Sequence, residues 1–255
     1  MRRILFEGIL ILFVALLPGF LAAQDASEQG ATAQDSMAQA DALYEQGGLD
    51  NLLKSAELYA QILESDPGSY DAAWKASRSY REYCNQSKEN NAEGWQNICK
   101  QYGKKGMMYG EKAIALNPDR VEGNFWYGCS VGNYSDGVSI LTALREGLKD
   151  KTQTSFEKSY EIDKTYSDGG PIKALGRYWY VLPWPMNDNE KALSYLKEFN
   201  QAYPGDPEGQ VFLAEVLIDE GGDENIAQAK ELLAQASVCE EKYFSEWAKR
   251  LVADL

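Results

Sequence analysis

The sequence contains no histidine among its 255 residues. This absence excludes Ser-His-Asp and Cys-His catalysis, histidine-ligated zinc and histidine-based pH switches. Cysteine is scarce, and the four cysteines form no C-x-x-C pair, which argues against zinc ribbons and thioredoxin-like redox sites. A glycine-rich phosphate-binding loop is also missing. We therefore predict a protein that is not an enzyme and has no metal site or cofactor.

Basic residues are few relative to acidic ones. The chain has 25 lysines and arginines against 39 aspartates and glutamates, a net charge of -14. Phosphate backbones and anionic membrane surfaces attract lysine and arginine, so we expect no nucleic-acid partner. Stretches of alternating β-branched residues are lacking as well, which argues against a sheet and favours an all-α fold.

The amino terminus has the pattern of a targeting segment. Arg2 and Arg3 precede an uncharged, mostly apolar run over residues 8–23, which ends in Leu21-Ala22-Ala23. This pattern is typical of a signal peptide over residues 1–23, and it predicts a periplasmic or otherwise exported protein. The alternative is an uncleaved anchor, the only case in which we expect membrane contact. Residues 24–36 are small and polar and predict a flexible leader before a folded domain over 37–255.

The four cysteines leave two interpretations open. An exported location permits disulfides, and Cys84 with Cys99 is the most local pair. Such a bond would brace the polar insert predicted over residues 85–93. The alternative is that Cys84, Cys99, Cys129 and Cys239 are free thiols buried on helix faces.

Residues 169–207 predict two helices separated by a proline-broken loop. Pro183 and Pro185 end the first helix, and Asn187 or Asp188 can cap the second. Apolar residues recur on one face of each helix: Leu175, Tyr178, Trp179 and Leu182 in the first, and Ala192, Leu196, Phe199 and Tyr203 in the second. An αα-hairpin of this kind cannot bury its own apolar faces, so it predicts similar neighbours along the chain.

Helix stop signals recur along the chain. They lie at residues 66–67, 117–118, 163–164 and 203–204, and their second members are 51, 46 and 40 residues apart. Tetratricopeptide repeats have a shorter period, about 34 residues. We therefore predict a degenerate tetratricopeptide-like solenoid of four to five αα-hairpins. It would form a right-handed superhelix with a concave face and a C-terminal capping helix that carries Phe244 and Trp247.

Aromatic residues are abundant, with 16 tyrosines and 6 tryptophans. Packing between repeats accounts for most of them. One helix face cannot bury all of Tyr178, Trp179 and Tyr180, however, so at least one ring should reach the groove or loop surface. Arg177 could hold a carboxylate there or cover a helix end. The candidate partner- or ligand-binding residues are Trp126, Tyr127, Arg177, Tyr178, Trp179 and Trp184.

Four segments carry a family resemblance: NFWYG at 124–128, FEKSY at 156–160, DGG at 168–170 and ALGRY at 174–178. Residues 72–236 resemble the T-component family of TRAP transporters and share their pattern with the regulator-of-microtubule-dynamics family of eukaryotes. The resemblance implies an all-α, non-enzymatic periplasmic protein that partners a solute-binding protein and can form homo-oligomers. T-components are usually lipoproteins, whereas this chain has no lipobox cysteine.

These observations support three hypotheses of function. The leading one is an exported, non-catalytic scaffold that binds a protein partner through aromatic anchors, with an acidic rim that selects basic or neutral partners. The alternative is a binding module for a small apolar or organic-acid ligand in an aromatic-lined groove or pore. An enzyme would require carboxylates such as Glu215 and Asp219 to converge in a deep pocket with raised pKa values.

Overall fold

The computed structural model describes residues 34–255, so the predicted signal peptide and leader residues 24–33 lie outside the described part. Within residues 34–255 the secondary structure is helical, without strands, which confirms the all-α prediction. Residues 34–36, expected at the end of the leader, already lie in the first helix. The helices are α1 (34–46), α2 (Leu49–Ser65), α3 (Tyr70–Glu89), α4 (Trp95–Leu116), α5 (Val121–Asp136), α6 (Ile140–Arg145), α7 (Leu148–Asp163), α8 (Tyr166–Val181), α9 (Asn189–Ala202), α10 (Pro207–Glu220), α11 (Asp223–Ala236) and α12 (Lys242–Ala253).

The helices of residues 34–255 pack as five consecutive pairs. The pairs are α1–α2, α3–α4, α5–α7, α8–α9 and α10–α11, with the short α6 inserted between α5 and α7. In the first pair, Ser55 Oγ donates a hydrogen bond to Ala40 O at 2.8 Å. The final helix, α12, packs against α10 and α11. This arrangement confirms the predicted number of hairpins and the C-terminal capping helix.

The predicted stop signals coincide with the ends of second helices. Helices α2, α4 and α9 end at Ser65, Leu116 and Ala202, each one residue before a stop signal, and α7 ends at Asp163, the first residue of one. A proline just past the end, as at residues 67, 118 and 204, cannot continue a helix, and it turns the chain into the next pair. The spacing of these signals therefore defines the repeat, although its length varies.

The α8–α9 hairpin differs in detail from the simplest sequence prediction. Ser167, Asp168 and Gly169 have φ values of 51°, 54° and 75°, so the regular part of α8 begins only at about Pro171. Proline is well tolerated in the first turn of a helix, because the backbone N–H groups of that turn have no acceptor within the helix. The N–H group that proline lacks therefore costs no helical hydrogen bond there. Asp188 is the cap of α9, and its Oδ1 accepts a hydrogen bond from Lys191 N at 3.0 Å.

One segment prediction was wrong. The insert expected over residues 85–93 is helical up to Glu89, because no glycine or proline interrupts α3 before Gly94. Further along the chain, the apolar residues of 138–148 do not form one helix. The centre of this segment forms α6, with Ile140 and Leu141 exposed, and Gly147 in the left-handed region separates it from Leu148 at the start of α7.

Small residues allow neighbouring helices to approach closely. A Cβ atom at Gly128 of α5 would lie 2.7 Å from the ring of Phe156 on α7. A Cβ atom at Gly110 of α4 would lie 2.8 Å from the Cα atom of Tyr127 on α5. These distances are shorter than side-chain packing allows, so the two glycines determine how closely their helices pack.

All four cysteines are free thiols in this structure. Cys84 of α3 and Cys99 of α4 are buried side by side, and Cys99 Sγ donates to Cys84 O at 3.6 Å. These two residues therefore belong to the packing between α3 and α4. None of the helices in residues 34–255 is long and apolar enough to cross a membrane.

Candidate binding groove

A cavity of about 630 Å³ opens on the inner face of the helix pairs. Its walls come mainly from α3, α5, α8 and α10, the first helices of successive pairs, together with residues of α6, of the first half of α7 and of α12. We call this cavity the groove. One lining residue from each of six helices defines it: Glu89 of α3, Trp126 of α5, Leu144 of α6, Arg177 of α8, Phe212 of α10 and Phe244 of α12.

Groove residues recur at helical spacing. On α3 the stripe is Arg81, Asn85, Lys88 and Glu89, at i, i+4, i+7 and i+8. On α8 it is Gly170, Ala174, Arg177 and Val181, which again follow the 3.6-residue period. Each helix thus directs one stripe into the groove and another into the core behind it. The stripes are visible in the sequence, but recognising them requires knowing which helices face inward.

The groove brings together three of the six predicted site residues, Trp126, Arg177 and Tyr178. Trp126 Nε1 donates to Tyr166 Oη at 2.8 Å, and its ring packs edge-on against Phe125. Tyr178 Oη donates to Lys149 O at 3.2 Å. Both aromatic residues are buried, so they form a rigid wall held by their polar atoms.

Two of the predicted residues lie in the packing between helices, away from the groove. Tyr127 is buried against α4 and donates through its hydroxyl to Glu111 Oε1 at 3.1 Å. Trp179 is buried beside α9, where Lys191 Nζ lies 4.0 Å from its ring centroid. A ligand in the groove would not contact either side chain, although their role in binding a partner stays a prediction.

Trp184 is the one predicted site residue that is open to solvent, with 86% of its surface exposed. It lies in the loop between α8 and α9, and its loop neighbours Pro183 and Met186 line the groove. The exposed side chains of Ile140, Leu144 and Val181 line the groove as well. The groove therefore has an apolar rim.

Arg177 connects three helices at the groove wall. Its Nη1 lies 2.5 Å from Glu215 Oε2 of α10, and its guanidinium carbon lies 4.5 Å from the ring centroid of Phe212 and 5.2 Å from that of Trp247 on α12. Burial raises the pKa of Glu215, while Arg177 opposes this increase. Arg177 is thus already paired with a carboxylate of the chain itself.

Glu215 and Asp219 do not converge in a deep pocket. Glu215 is paired with Arg177, while Asp219 Oδ2 accepts a hydrogen bond from Tyr180 Oη at 2.8 Å. Neither residue lines the groove. Across residues 34–255, no group of three or more cysteine, aspartate or glutamate side chains is placed to hold a metal ion.

Almost every charged residue in the groove wall has an ionic partner. Lys173, for example, lies 2.6 Å from Glu208 and 3.2 Å from Asp206. Burial opposes the charge on Lys173, but these two carboxylates outweigh it and raise its pKa. The other pairs of the wall are Arg81 with Glu82, Lys88 with Asp136, Lys149 with Asp150 and Arg177 with Glu215.

Glu89 is the exception in the wall. It has no ion pair within residues 34–255, and its carboxylate accepts a hydrogen bond from Asn85 Nδ2 at 2.7 Å. Burial and the nearby charge of Glu82 raise the pKa of Glu89 to about 7, against the opposing effect of Arg81. This carboxylate is therefore the groove's one uncompensated charge in the described part of the chain.

Several groove residues were not predicted from the sequence. They include the aromatic residues Phe125, Phe156, Phe212, Tyr243, Phe244 and Trp247. Phe244 and Trp247 were assigned to a capping helix, which is where they lie, yet the cap also closes one end of the groove. Glu89 was assigned to a polar insert, and its position on the inner stripe of α3 became evident only from the true length of that helix.

The paired helices and their inner groove define a tetratricopeptide-like helical-repeat protein. A thermophilic tetratricopeptide protein of Thermus thermophilus has a similar fold, with 16% identity, a TM-score of 0.59 and coverage of 86% of this chain and 99% of that one. YrrB, a tetratricopeptide protein with an unusual peptide-binding site, has 15% identity, a TM-score of 0.52 and coverage of 92% and 98%. The MamA protein has 16% identity, a TM-score of 0.52 and coverage of 81% and 92%.

The family follows from the sequence. Residues 36–182, more than half of the chain, match the family described as regulator of microtubule dynamics protein 1-3. The chain belongs to this family. Comparison with curated proteins finds no match.

Proposed function

We propose that the chain is a non-catalytic scaffold that binds a segment of a partner protein in the groove. The observation that carries this proposal is the position of the cavity, which is walled by the inner faces of successive repeats. Solenoids of stacked helix pairs use such concave surfaces for binding. YrrB, which shares the fold, has a peptide-binding site.

The wall of the groove suits this role. Trp126 and Tyr178 are fixed by hydrogen bonds, so they lose little conformational freedom when a partner binds. Exposed apolar side chains at the rim, such as Leu144 and Val181, add area that a partner can cover. Rigid aromatic residues surrounded by apolar contacts are typical of binding hot spots.

Gly132 offers a direct test. It lines the groove, and a Cβ atom built on it would have no neighbour within 4 Å, so a larger side chain can start there without displacing packed atoms and extend into the cavity. Peptides would be selected from a phage-displayed random library on the wild-type chain. Their affinities would then be measured for Gly132→Trp and for Gly205→Trp, a control in open space outside the groove.

We expect Gly132→Trp to weaken the selected peptides by at least about tenfold, which corresponds to about 1.4 kcal/mol, because it fills the space that they occupy. Gly205→Trp should bind them as the wild type does. Equal affinities for all three proteins would show that the groove is not the binding site.

A small apolar or organic-acid ligand is a second candidate, favoured by the size of the cavity. A volume of about 630 Å³ lies within the range of small-molecule sites, roughly 300–1,000 Å³. Native mass spectrometry of the purified chain would show a bound molecule as added mass. That mass should disappear in Gly132→Trp, and an unliganded wild-type chain that also fails to bind apolar acids would reject this candidate.

We further propose that the chain is exported and that its partner is the solute-binding protein of a TRAP-type uptake system. The signal-like residues 1–23 and the resemblance of residues 72–236 to T-components support this proposal. Cell fractionation tests the export, and titration calorimetry with a purified TRAP solute-binding protein from the same organism tests the partner. Retention in the cytoplasm or absence of binding would contradict it.

A further inference from the structure

Glu89 lies where the groove opens between the end of α3 and the beginning of α12. A second opening, of about 490 Å³, adjoins the groove there. Glu89, Tyr243 and Phe244 line both spaces. A segment that leaves the groove at this end would therefore pass the Glu89 carboxylate and two aromatic rings.

This exit is acidic. Its remaining charged residues are Glu241, Lys242 and Glu246, and Lys242 lies 3.7 Å from Glu246, so the two form an ion pair. Glu241, like Glu89, has no ion pair within residues 34–255. Two uncompensated carboxylates thus face the exit from opposite helices, one at the end of α3 and one at the start of α12.

The other charged side chains of the groove wall are already paired, so they do not attract a charged ligand. The cations of the wall, Arg81, Lys88, Lys149, Lys173 and Arg177, all have carboxylate partners within 4 Å. An anionic ligand would have to displace one of these partners, whereas a cationic group at Glu89 would meet a carboxylate that holds only an amide hydrogen bond. Charge complementarity therefore favours a cation at this end of the groove.

We propose that the groove binds a protein segment with a lysine or arginine side chain placed between Glu89 and Glu241, flanked by apolar residues. The cation pairs with the Glu89 carboxylate, and the aliphatic stem of the same side chain packs against Tyr243 and Phe244. The apolar neighbours of the basic residue occupy the aromatic part of the groove. This inference rests on the proposed function, since it specifies the chemistry of the segment that binds there.

The test selects peptides from a phage-displayed library of random dodecapeptides at about pH 8, where Glu89 is ionised. Selections would be run in parallel on the wild-type chain, on Glu89→Gln and on Glu93→Gln. Glu93 is exposed and lies outside both openings, so its variant changes the net charge equally without altering the exit. Circular dichroism verifies that each variant is folded. Glu241→Gln is a second exit variant, because it neutralises the other unpaired carboxylate there.

We expect the wild type and Glu93→Gln to enrich peptides with a lysine or arginine between apolar residues, and Glu89→Gln to lose this preference. For one enriched peptide, Glu89→Gln and replacement of the peptide's basic residue by methionine should each weaken binding about tenfold. The two changes together should weaken it little further, because both remove the same contact.

The outcomes separate this inference from the proposed function. Groove-binding peptides that lack basic residues, or that bind Glu89→Gln as tightly as the wild type, would overturn the inference and leave the peptide-binding function intact. Failure to enrich any peptide that Gly132→Trp weakens would overturn both.

Discussion

Arg177 Nη1 and Glu215 Oε2 lie 2.5 Å apart and connect α8 to α10 at the wall of the groove. The side chains are 27% and 15% exposed, and the guanidinium also packs against the rings of Phe212 and Trp247. One side chain thus links the fourth helix pair, the fifth pair and the capping helix. The shape of the groove at this end depends on that link.

We predict that Arg177→Ala lowers the free energy of unfolding by about 3 kcal/mol, because it leaves Glu215 largely buried without its cation. Urea unfolding followed by circular dichroism measures the change. Adding Glu215→Gln should restore part of the loss, since the variant then buries no unpaired charge. Arg145→Ala, at an exposed arginine without an ion pair in the described residues, is the control. A similar effect of Arg177→Ala and Arg145→Ala would contradict the structural role of the pair.

Gly110 and Gly132 allow a matched comparison within the α4–α5 packing. We predict that Gly110→Ala destabilises the chain by about 1–3 kcal/mol, because the new methyl group would meet the Tyr127 backbone at 2.8 Å and force the helices apart. Gly132→Ala meets nothing within 4 Å and should stabilise the chain by up to about 1 kcal/mol through helix propensity. Thermal unfolding of both variants measures the difference, and an equal response would refute the close-packing role of Gly110.

The repeat architecture was predictable because its signals are local. The proline-marked stops at residues 66–67 and 117–118 end helices whatever the tertiary context. The apolar stripe of Ala192, Leu196 and Phe199 packs against a neighbouring helix in any solenoid. The prediction for residues 85–89 was wrong, because polar composition alone does not end a helix. It suggested an insert where α3 continues for another turn.

The groove was harder to predict because its composition depends on distant parts of the chain. Trp126 and Tyr127 are adjacent aromatic residues, yet one lines the groove and the other packs against α4. Which of them faces inward depends on the rotation of α5 about its axis, and contacts such as that between Gly110 and Tyr127 determine this rotation. Glu89 and Tyr243 meet at one opening although they lie far apart in the chain, a relationship that no local pattern contains.

Trp179 and Trp184 should respond very differently to substitution. Trp179 is 8% exposed and packs beside α9, so Trp179→Ala should cost about 3–5 kcal/mol of stability. Trp184 is 86% exposed, and Trp184→Ala should change stability by less than about 0.5 kcal/mol. Differential scanning calorimetry measures both effects. A large loss in Trp184→Ala would show that its side chain is buried in solution.

The raised pKa of Glu89 predicts that the stability of the folded chain depends on pH in a specific way. In the unfolded chain its carboxyl group should titrate near the usual value of about 4.3, whereas in the folded chain burial and Glu82 raise the pKa to about 7. Between these values the folded chain retains a proton that the unfolded chain has released. The contribution of this group to stability is therefore complete below about pH 4 and is lost as the pH rises to about 7.

We predict that Glu89→Gln, which is neutral at every pH, removes this dependence. Relative to the variant, the wild type should lose about 1 kcal/mol of unfolding free energy between about pH 5 and pH 8, a value reduced from the full pKa shift because solvent partly screens the side chain. Urea unfolding at several pH values measures the difference, and Glu93→Gln should track the wild type throughout. Parallel profiles for the wild type and Glu89→Gln would show that Glu89 is already ionised below neutral pH. The exit of the groove would then carry its full negative charge across that range.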